Sequence, residues 1–397
     1  MKLKIGLFLG SSPDWGGAFQ YNQSMLDAVA ALPRQKFDVV AGYNHDCWEA
    51  PLAAYGIPRL RISPGIAARV AGRLWQMLDL PLVWRRRICP YFHAVARALI
   101  RQRCDLWIFP SQDHWAYEVP VPALGVVLDL MHRYERRFPE VSANGEFERR
   151  EYHYRAMCRW AKGILVESSV GKRQLQECYD MDGTRVHVLP TVAPRYMYST
   201  GVPAGFAERY QLPDKYIFYP AQFWEHKNHQ RLVRATASLM DRIPELQLVF
   251  VGGKNDGFDA VWNLVQDLAL SRNVHFLGYV PDEDMPELYR RARAMVMPSF
   301  FGPTNIPPLE AFVAGCPVAA SRVYGTPEQV GNAALMFDPN SEAEIADCIH
   351  QLWTNDELCK ELAQRGLANS QSWNQESFNE RLHAILLRML EPEHDEN

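Results

Sequence analysis

Residues 298–331, PSFFGPTNIPPLEAFVAGCPVAASRVYGTPEQVG, decide how the second half of the chain is expected to fold. The apolar run over 294–298 predicts a buried strand, which gives way to a loop of Gly, Pro, Thr and Asn. Pro307 and Pro308 then open a predicted helix, because proline is tolerated where an N–H has no helical partner. A loop between a strand and a helix start presents free backbone amides, so this stretch predicts an anion site.

The predicted helix also carries an acidic residue inside its first turns. Glu310 lies too far into the helix to cap it and is placed to accept hydrogen bonds from sugar hydroxyls. The helix is predicted to end at Gly315 and to be followed by a strand over 317–320. An anion site beside a carboxylate that can accept from sugar hydroxyls predicts a nucleotide-sugar site.

The same segment resembles the donor-binding signature of glycosyltransferase family 4, whose members are retaining enzymes of the GT-B fold. That family usually places two glutamates eight positions apart; here the second is Glu310 and the first is replaced by Gly302. The variant GPTNIPPLEA is similar to a subgroup common among bacterial surface-polysaccharide transferases. The resemblance covers most of residues 105–390. It implies an α/β protein with two Rossmann-like domains facing across a deep cleft and a C-terminal helix that crosses back to the first domain.

The composition is compatible with this expectation. In 397 residues, 48% are hydrophobic and 22% are charged, which is typical of a globular protein with two or three domains. A net charge of −4 argues against a general nucleic-acid binder. The eight scattered cysteines show no CxxC spacing and suggest reduced thiols. The first strand follows Met1 directly, and no apolar run could span a membrane, so we expect no signal peptide and a cytoplasmic protein.

Predicted strands and helices alternate through both halves, which indicates parallel sheets with ligand-binding loops at the strand ends. We predict an acceptor-side Rossmann-like domain over 1–203. A nucleotide-sugar-binding domain is predicted over 204–373. Residues 374–397 are predicted to form the returning helix and a frayed acidic tail.

A second informative stretch, YPAQFWEHKNHQRLVRA, covers residues 219–235. Relatives place a basic pair here that neutralises the donor diphosphate; Lys227 matches one member, and Gln222 replaces the usual arginine. A lysine at a helix start opposes the helix dipole, a conflict that a bound diphosphate would relieve. His226 and His229 are three residues apart and could hold a metal, but loop packing is their more ordinary role.

Other positions are assigned to the donor by the resemblance, several of them beside ordinary structural alternatives. The Gly pair after the first strand resembles a loop that borders the phosphates, LGYV resembles the segment that brackets the base, and the amides of the 304–306 loop face the diphosphate. Glu328 equally suits a helix start. The donor-binding set is Gly16, Gly17, Gln222, Lys227, Gly278, Tyr279, Thr304, Asn305, Ile306, Glu310 and Glu328, with no metal ligand and no cofactor.

Catalysis is expected to involve Asp129, His132 and Lys227. Asp129 follows an apolar strand and matches the family segment that often contains His-Asp, although Leu128 stands where the histidine usually is. Asp129 and His132 would orient the sugar and the acceptor; the alternative is a capped loop. With Gly302 in place of a glutamate, retention would rest on same-face attack, and the glycine is expected to leave space for the sugar.

Residues 66–103 interleave arginines with tryptophans and leucines, a pattern that suits an anionic membrane surface. An ordinary surface helix shows the same pattern. The partners predicted from the whole sequence are therefore a UDP- or GDP-linked sugar, a glycan or lipid-linked acceptor, and the inner leaflet through this basic segment.

Three functions remain open from the sequence. The first is a retaining, metal-independent hexosyltransferase of bacterial surface-polysaccharide synthesis (O-antigen or capsule). The second is a GT-B relative that does not transfer, such as a nucleotide-sugar epimerase, which usually needs more acid/base groups than Asp129 and His132 supply. The third is an inert scaffold that binds nucleotide sugar for a partner transferase.

Overall fold

The computed structural model describes residues 2–62 and 81–390, and these form two compact units. Unit 1 contains the described residues of Met1–Leu130, Glu148–Thr191 and Gln375–Asn397. Unit 2 consists of Met131–Phe147 and Val192–Asn374. Each unit contains its own parallel sheet.

The sheet of unit 1 has seven strands in the order β3-β2-β1-β4-β5-β6-β7, and all of its pairs are parallel. Most of the residues in its central strands are buried, as expected where helices cover both faces. The strands are β1 Leu3–Leu9, β2 Phe37–Tyr43, β3 Arg59–Arg61, β4 Leu106–Phe109, β5 Ala123–Val126, β6 Gly163–Val166 and β7 Val186–Val188.

The sheet of unit 2 has six strands in the order β10-β9-β8-β11-β12-β13, again all parallel. In both sheets the strand order reverses beside the first strand of the unit, which is the doubly wound arrangement. The strands are β8 Ile217–Pro220, β9 Leu248–Val251, β10 Val274–Phe276, β11 Ala294–Met297, β12 Val318–Ser321 and β13 Ala334–Phe337.

Helices connect the strands in both units. Those that lie wholly in unit 1 are Gly17–Ala30, Glu49–Ala54, Leu82–Phe92, Ala94–Arg101, Trp115–Glu118, Ser169–Tyr179 and Gln375–Leu390. Those of unit 2 are Met131–Tyr134, Pro139–Ser142, Phe206–Tyr210, His229–Ala237, Phe258–Asp267, Met285–Arg291, Ile306–Val313, Thr326–Val330, Glu342–Thr354 and Asp356–Ser372. The helix Glu146–Trp160 has its first two residues in unit 2 and the rest in unit 1, because unit 1 resumes at Glu148.

The last helix, Gln375–Leu390, belongs to unit 1 and packs against the helix Gly17–Ala30. Its buried residues Phe378, Leu382, Ile385 and Leu386 recur at helical spacing, so one apolar face is covered. The ring of Phe378 meets Tyr21 edge to face at 6.1 Å.

The division of the chain differs in detail from the expected domains. The change from unit 1 to unit 2 falls between Thr191 and Val192 rather than at 203. In addition, the 131–147 segment, which follows β5 in the first half, groups with unit 2. Its apolar residues Met131, Phe138 and Val141 cluster with Phe300, and that cluster is the physical reason for the grouping.

The predicted membrane segment over 66–103 is described only in part, because residues 66–80 lie outside the described ranges. Of its arginines, Arg85 pairs with Glu118 at 3.7 Å, and Arg86 lies 4.6 Å over the ring of Trp160. These two arginines therefore anchor the helix Leu82–Phe92 to unit 1. In the part of the chain that the structure describes, no helix has the length and apolarity needed to cross a bilayer.

Candidate functional site

The two informative stretches of sequence follow adjacent strands of the second sheet. Residues 221–227 leave β8 and residues 298–305 leave β11, and these strands pair where the strand order reverses. In open parallel sheets, ligands bind beyond the carboxyl ends of the strands at this switch point. The fold thus brings together two loops that are about 75 residues apart in sequence.

Lys227 ends a 3-10 turn, Glu225–Lys227, directly before the helix His229–Ala237. Its carbonyl accepts a 2.9 Å hydrogen bond from the hydroxyl of Tyr219, which holds the turn against β8. Asn228 adopts a left-handed conformation with φ of 62°, and its Nδ2 donates to the carbonyls of Pro298 and Pro339. The backbone around Lys227 is therefore fixed to the start of the neighbouring loop.

Gln222, at the position where the resemblance implies an arginine, is exposed and hydrogen-bonded both within its own loop and to the loop after β9. Its Oε1 accepts from Nε1 of Trp224 at 2.8 Å and from Nδ2 of Asn255 at 3.2 Å. The side chain thus braces the loop and brings no positive charge to it.

The prediction that the two histidines pack the loop is confirmed. The ring of His226 stacks on Phe301 with centroids 3.8 Å apart and planes 12° apart. His229 is buried and stacks on Phe223 at 4.3 Å. Burial, with a smaller contribution from nearby Lys227, lowers the pKa of His229 to about 3, so this imidazole is neutral at physiological pH.

The loop after β11 offers fewer free amides than its sequence suggests. The backbone N–H of Asn305 donates to Oε1 of Gln329 at 3.0 Å, and Nε2 of Gln329 donates to the Asn305 carbonyl at 2.7 Å. Asn305 is the cap residue of the helix Ile306–Val313, and the second and third residues of this helix are Pro307 and Pro308. The predicted anion site thus loses the Asn305 amide, which the Gln329 side chain occupies.

Gly302 does not leave the open space that was expected. A Cβ at this position would collide with the carboxamide of Asn305 and lie 3.0 Å from Oγ1 of Thr326. The Gly302 carbonyl also accepts from the N–H of Gly325 at 3.0 Å. The volume beside Gly302 is therefore filled by neutral polar groups, and that prediction was wrong.

Glu310 is only 4% exposed, so its carboxylate faces protein groups. Oε2 accepts a 2.6 Å hydrogen bond from Tyr289, and Oε1 accepts from Tyr196. Burial raises the pKa of Glu310, while the two tyrosine hydroxyls act in the opposite direction. No sequence signal marked these tyrosines, because each reaches Glu310 only through the tertiary fold.

The remaining residues of unit 2 that were predicted to bind the donor lie on loops and at a helix start. Gly278 has a φ of 72°, and Tyr279 beside it is 80% exposed. The Gly278 carbonyl accepts from the N–H of Gly252, which links the loops after β9 and β10. Thr304 is half-buried, and Glu328 is exposed in the first turn of the helix Thr326–Val330.

The other predicted residues divide between the two units. Gly16, with φ of 55°, and Gly17 start the helix Gly17–Ala30 in unit 1. Asp129, also in unit 1, forms a 2.9 Å salt bridge with Arg150. His132 belongs to unit 2, where it is buried against Phe147 with ring centroids 5.5 Å apart.

Two Asp-x-Asp strings, 180–182 and 282–284, place carboxylates two residues apart, a spacing that can serve to bind a metal ion. Asp182 accepts from the N–H of Thr184 at 2.9 Å. Asp284 is buried and accepts from Arg209 at 2.8 Å and from Tyr210 at 2.6 Å. One carboxylate of each string is thus engaged in local structure. Among the described residues, no three His, Cys, Asp or Glu side chains are grouped to hold a metal ion.

Comparison with known proteins agrees with this geometry. The family model described as glycosyl transferases group 1 matches residues 206–368. The O-antigen chain mannosyltransferase B of Escherichia coli is 30% identical over 298 residues, covering 71% of this chain and 76% of that protein. The serotype-specific mannosyltransferase WbdA of Escherichia coli is 26% identical over 232 residues, or 56% of this chain and 28% of that protein.

Among solved structures, Anabaena HepE in complex with UDP-glucose superposes with a TM-score of 0.71 at 17% identity, over 97% of this chain and 99% of that chain. Two doubly wound parallel-sheet units and this neighbour define the fold class as GT-B. The chain belongs to the family of group 1 glycosyl transferases. It is a glycosyltransferase by family.

Proposed function

We propose that this chain is a metal-independent, retaining hexosyltransferase of glycosyltransferase family 4 type. It moves a sugar from a UDP- or GDP-linked donor to a glycan or lipid-linked oligosaccharide. The observation that carries the donor site is the convergence of the Lys227 turn and the 298–305 loop at the switch point of the second sheet.

Two relatives of this chain are mannosyltransferases and support mannose as the first sugar to test; one of them is the O-antigen chain mannosyltransferase B, which supports a role in bacterial surface polysaccharide. The solved neighbour bound to UDP-glucose supports a nucleotide sugar as the donor class. GDP-mannose and UDP-glucose are therefore the two donors to compare.

The chemistry requires stabilisation of the leaving diphosphate above all. Negative charge accumulates there as the glycosidic bond breaks, and fixed donors aimed at it are usually the largest catalytic contribution. Lys227 supplies a cation, and the amides of Thr304 and Ile306 with the start of the helix Ile306–Val313 supply dipoles. This set neutralises the diphosphate without a metal ion.

Retention follows from same-face attack in this proposal. The acceptor hydroxyl attacks the anomeric carbon on the face that the diphosphate leaves, and a donor phosphate oxygen takes the hydroxyl proton. Asp129, held by Arg150, orients the acceptor, whereas the buried ring of His132 packs against Phe147 and contacts no substrate. Gly302 carries no nucleophile, so no covalent glycosyl-enzyme forms at that position.

An exposed aromatic helix face supports a membrane location, where a lipid-linked acceptor is found. The helix Leu82–Phe92 presents Val83, Trp84, Arg87 and Tyr91 on one exposed face, with Trp84 53% and Tyr91 75% exposed. An aromatic face with a basic residue suits the boundary of an anionic leaflet. The enzyme thus acts in the cytoplasm, peripherally on the inner membrane, where a lipid-linked acceptor would be found.

Turnover of defined donors tests the proposal. The full chain is incubated with GDP-mannose or UDP-glucose, with and without EDTA, and a lipid-linked oligosaccharide acceptor, and the anomeric configuration of the product is measured by NMR. Transfer with retained configuration that EDTA does not reduce is the expected result. Inversion, or loss of activity with EDTA, would contradict it. Donor binding that Lys227→Met weakens, without any turnover, would instead favour the inert scaffold.

A further inference from the structure

The 131–147 segment contacts both loops of the proposed donor site, although its sequence belongs to the first half of the chain. Phe138 packs against Phe300 at 5.2 Å and against Phe301 at 5.5 Å between ring centroids. Glu140, two residues on, reaches the turn that contains Lys227. All of these residues lie within unit 2.

Glu140 holds His226 by two hydrogen bonds to one oxygen. Oε1 accepts from the backbone N–H of His226 at 3.3 Å and lies 3.2 Å from Nδ1 of its ring. Burial alone would raise the pKa of Glu140, but the hydrogen bonds from His226 and from the backbone outweigh it and lower the pKa. A carboxylate only accepts, so the imidazole must carry its proton on Nδ1.

His226 in turn joins the two donor loops. Its carbonyl accepts a 2.8 Å hydrogen bond from the N–H of Phe300, and its ring stacks on Phe301. Lys227 is the next residue, and its own carbonyl is held by Tyr219. The direction of the Lys227 side chain therefore depends on a turn whose central residue is fixed from three sides.

We infer that Glu140 and His226 are positioning residues, which set the Lys227 turn and the Phe300–Phe301 loop in the geometry that binds the donor diphosphate. The inference rests on the proposed function, because it acts through Lys227. Glu140 touches neither the donor nor the acceptor in this account. A purely structural role for the pair would lower stability without any dependence on Lys227.

A double-mutant cycle separates these two roles. In the full-length protein, dissociation constants are measured by calorimetry for GDP-mannose and UDP-glucose, and the donor that binds the parent protein is used throughout. Glu140→Ala should weaken donor binding about tenfold, as expected for loss of a coupled contact. Glu140→Gln should restore it, because the amide oxygen can still accept from His226. In a Lys227→Met background, Glu140→Ala should produce no further loss.

Controls keep the result decisive. Glu208→Ala removes an exposed carboxylate of unit 2 that lies outside the Lys227 turn, and it should leave donor affinity unchanged. His226→Phe keeps a ring against Phe301 and the backbone N–H but removes the Nδ1 donor to Glu140, so it should also weaken donor binding. It replaces Glu140→Ala in the cycle if the Glu140→Ala protein does not fold. Thermal unfolding is recorded for each protein.

The outcomes distinguish the inference from the proposed function. The positioning role alone is overturned if the two losses of donor affinity simply multiply in the Glu140→Ala, Lys227→Met double variant. It is likewise overturned if Glu140→Ala binds the donor as tightly as the parent protein does. If Lys227→Met binds the donor as well as the parent does, the proposed diphosphate site fails, and the positioning role fails with it.

Discussion

The hydroxyl of Tyr289 donates a 2.6 Å hydrogen bond to Oε2 of Glu310, and both side chains are buried. Since Tyr196 occupies the other oxygen, the carboxylate is held from both sides before any ligand arrives. A hydroxyl of the nucleotide sugar that reaches Glu310 must therefore share a carboxylate oxygen with Tyr196 or Tyr289, or displace one of these hydroxyls. The two tyrosine hydroxyls therefore fix the orientation of the Glu310 carboxylate, which can accept hydrogen bonds.

Tyr289→Phe is the variant that tests this arrangement. It leaves a buried carboxylate oxygen without its donor, which should lower the free energy of unfolding by about 1–3 kcal/mol and weaken donor binding. Urea unfolding and donor calorimetry measure the two effects. Tyr279→Phe, an exposed hydroxyl, is the matched control and should not alter stability. Equal unfolding midpoints for the Tyr289 variant and the parent would contradict the prediction.

A second prediction concerns the filled space beside Gly302. Gly302→Ala should destabilise the protein by about 1–3 kcal/mol, because the new methyl group collides with the Asn305 carboxamide. Asn305→Gly in the same chain should recover much of the loss by removing that carboxamide. Denaturant midpoints of the single and double variants measure the coupling.

The control for that pair is Gly253→Ala, where an added Cβ meets no atom within 4 Å. It should leave the midpoint near that of the parent. If the double variant at 302 and 305 were no more stable than Gly302→Ala alone, the packing account of Gly302 would be wrong.

Acid should destabilise the protein through His229. Its folded pKa is about 3, whereas an exposed histidine titrates near 6.5, so the unfolded state binds the extra proton between these values. The free energy of unfolding should therefore fall by about 1.4 kcal/mol per pH unit as the pH drops below 6.5. His229→Phe removes the proton site and should give a shallower pH dependence. Parallel curves of urea midpoint against pH would refute this.

The exposed aromatic face of the helix Leu82–Phe92 should bind anionic membranes. Replacing Trp84 and Tyr91 together by serine removes most of its exposed aromatic area and should reduce sedimentation with phosphatidylglycerol vesicles by about tenfold. Trp262→Ser, at an exposed tryptophan of unit 2, is the matched control. Equal binding to neutral phosphatidylcholine vesicles would argue against a basic, leaflet-specific surface.

The sequence was sufficient to predict most of the strands, though not β3, and the two loops that the proposal assigns to the donor. Apolar runs such as 294–298 and the proline-opened helix after them are local signals, and they appear in the structure as β11 and the helix Ile306–Val313. The apolar strand that Asp129 was expected to follow ends earlier, at Val126. Short buried strands lack the alternation that would fix their ends.

What the sequence could not reveal depends on contacts between distant residues. Glu140 and His226 are 86 positions apart, and nothing in either neighbourhood indicates the other. The Gln329 side chain that occupies the Asn305 amide is likewise invisible before folding. The predicted site residues therefore marked two loops that the fold brings together, but not which of their groups are already engaged by other protein groups.

The interleaved path of the chain has a consequence for synthesis on the ribosome. Residues 131–147 emerge long before the 298–305 loop that covers Phe138, and unit 1 lacks its last helix until residues 375–390 have been made. Neither unit can therefore complete its packing as an N-terminal domain usually does during translation. Newly made chains will expose Phe138 and Val141, and chaperones that bind such apolar segments should engage them until nearly the whole protein has been released.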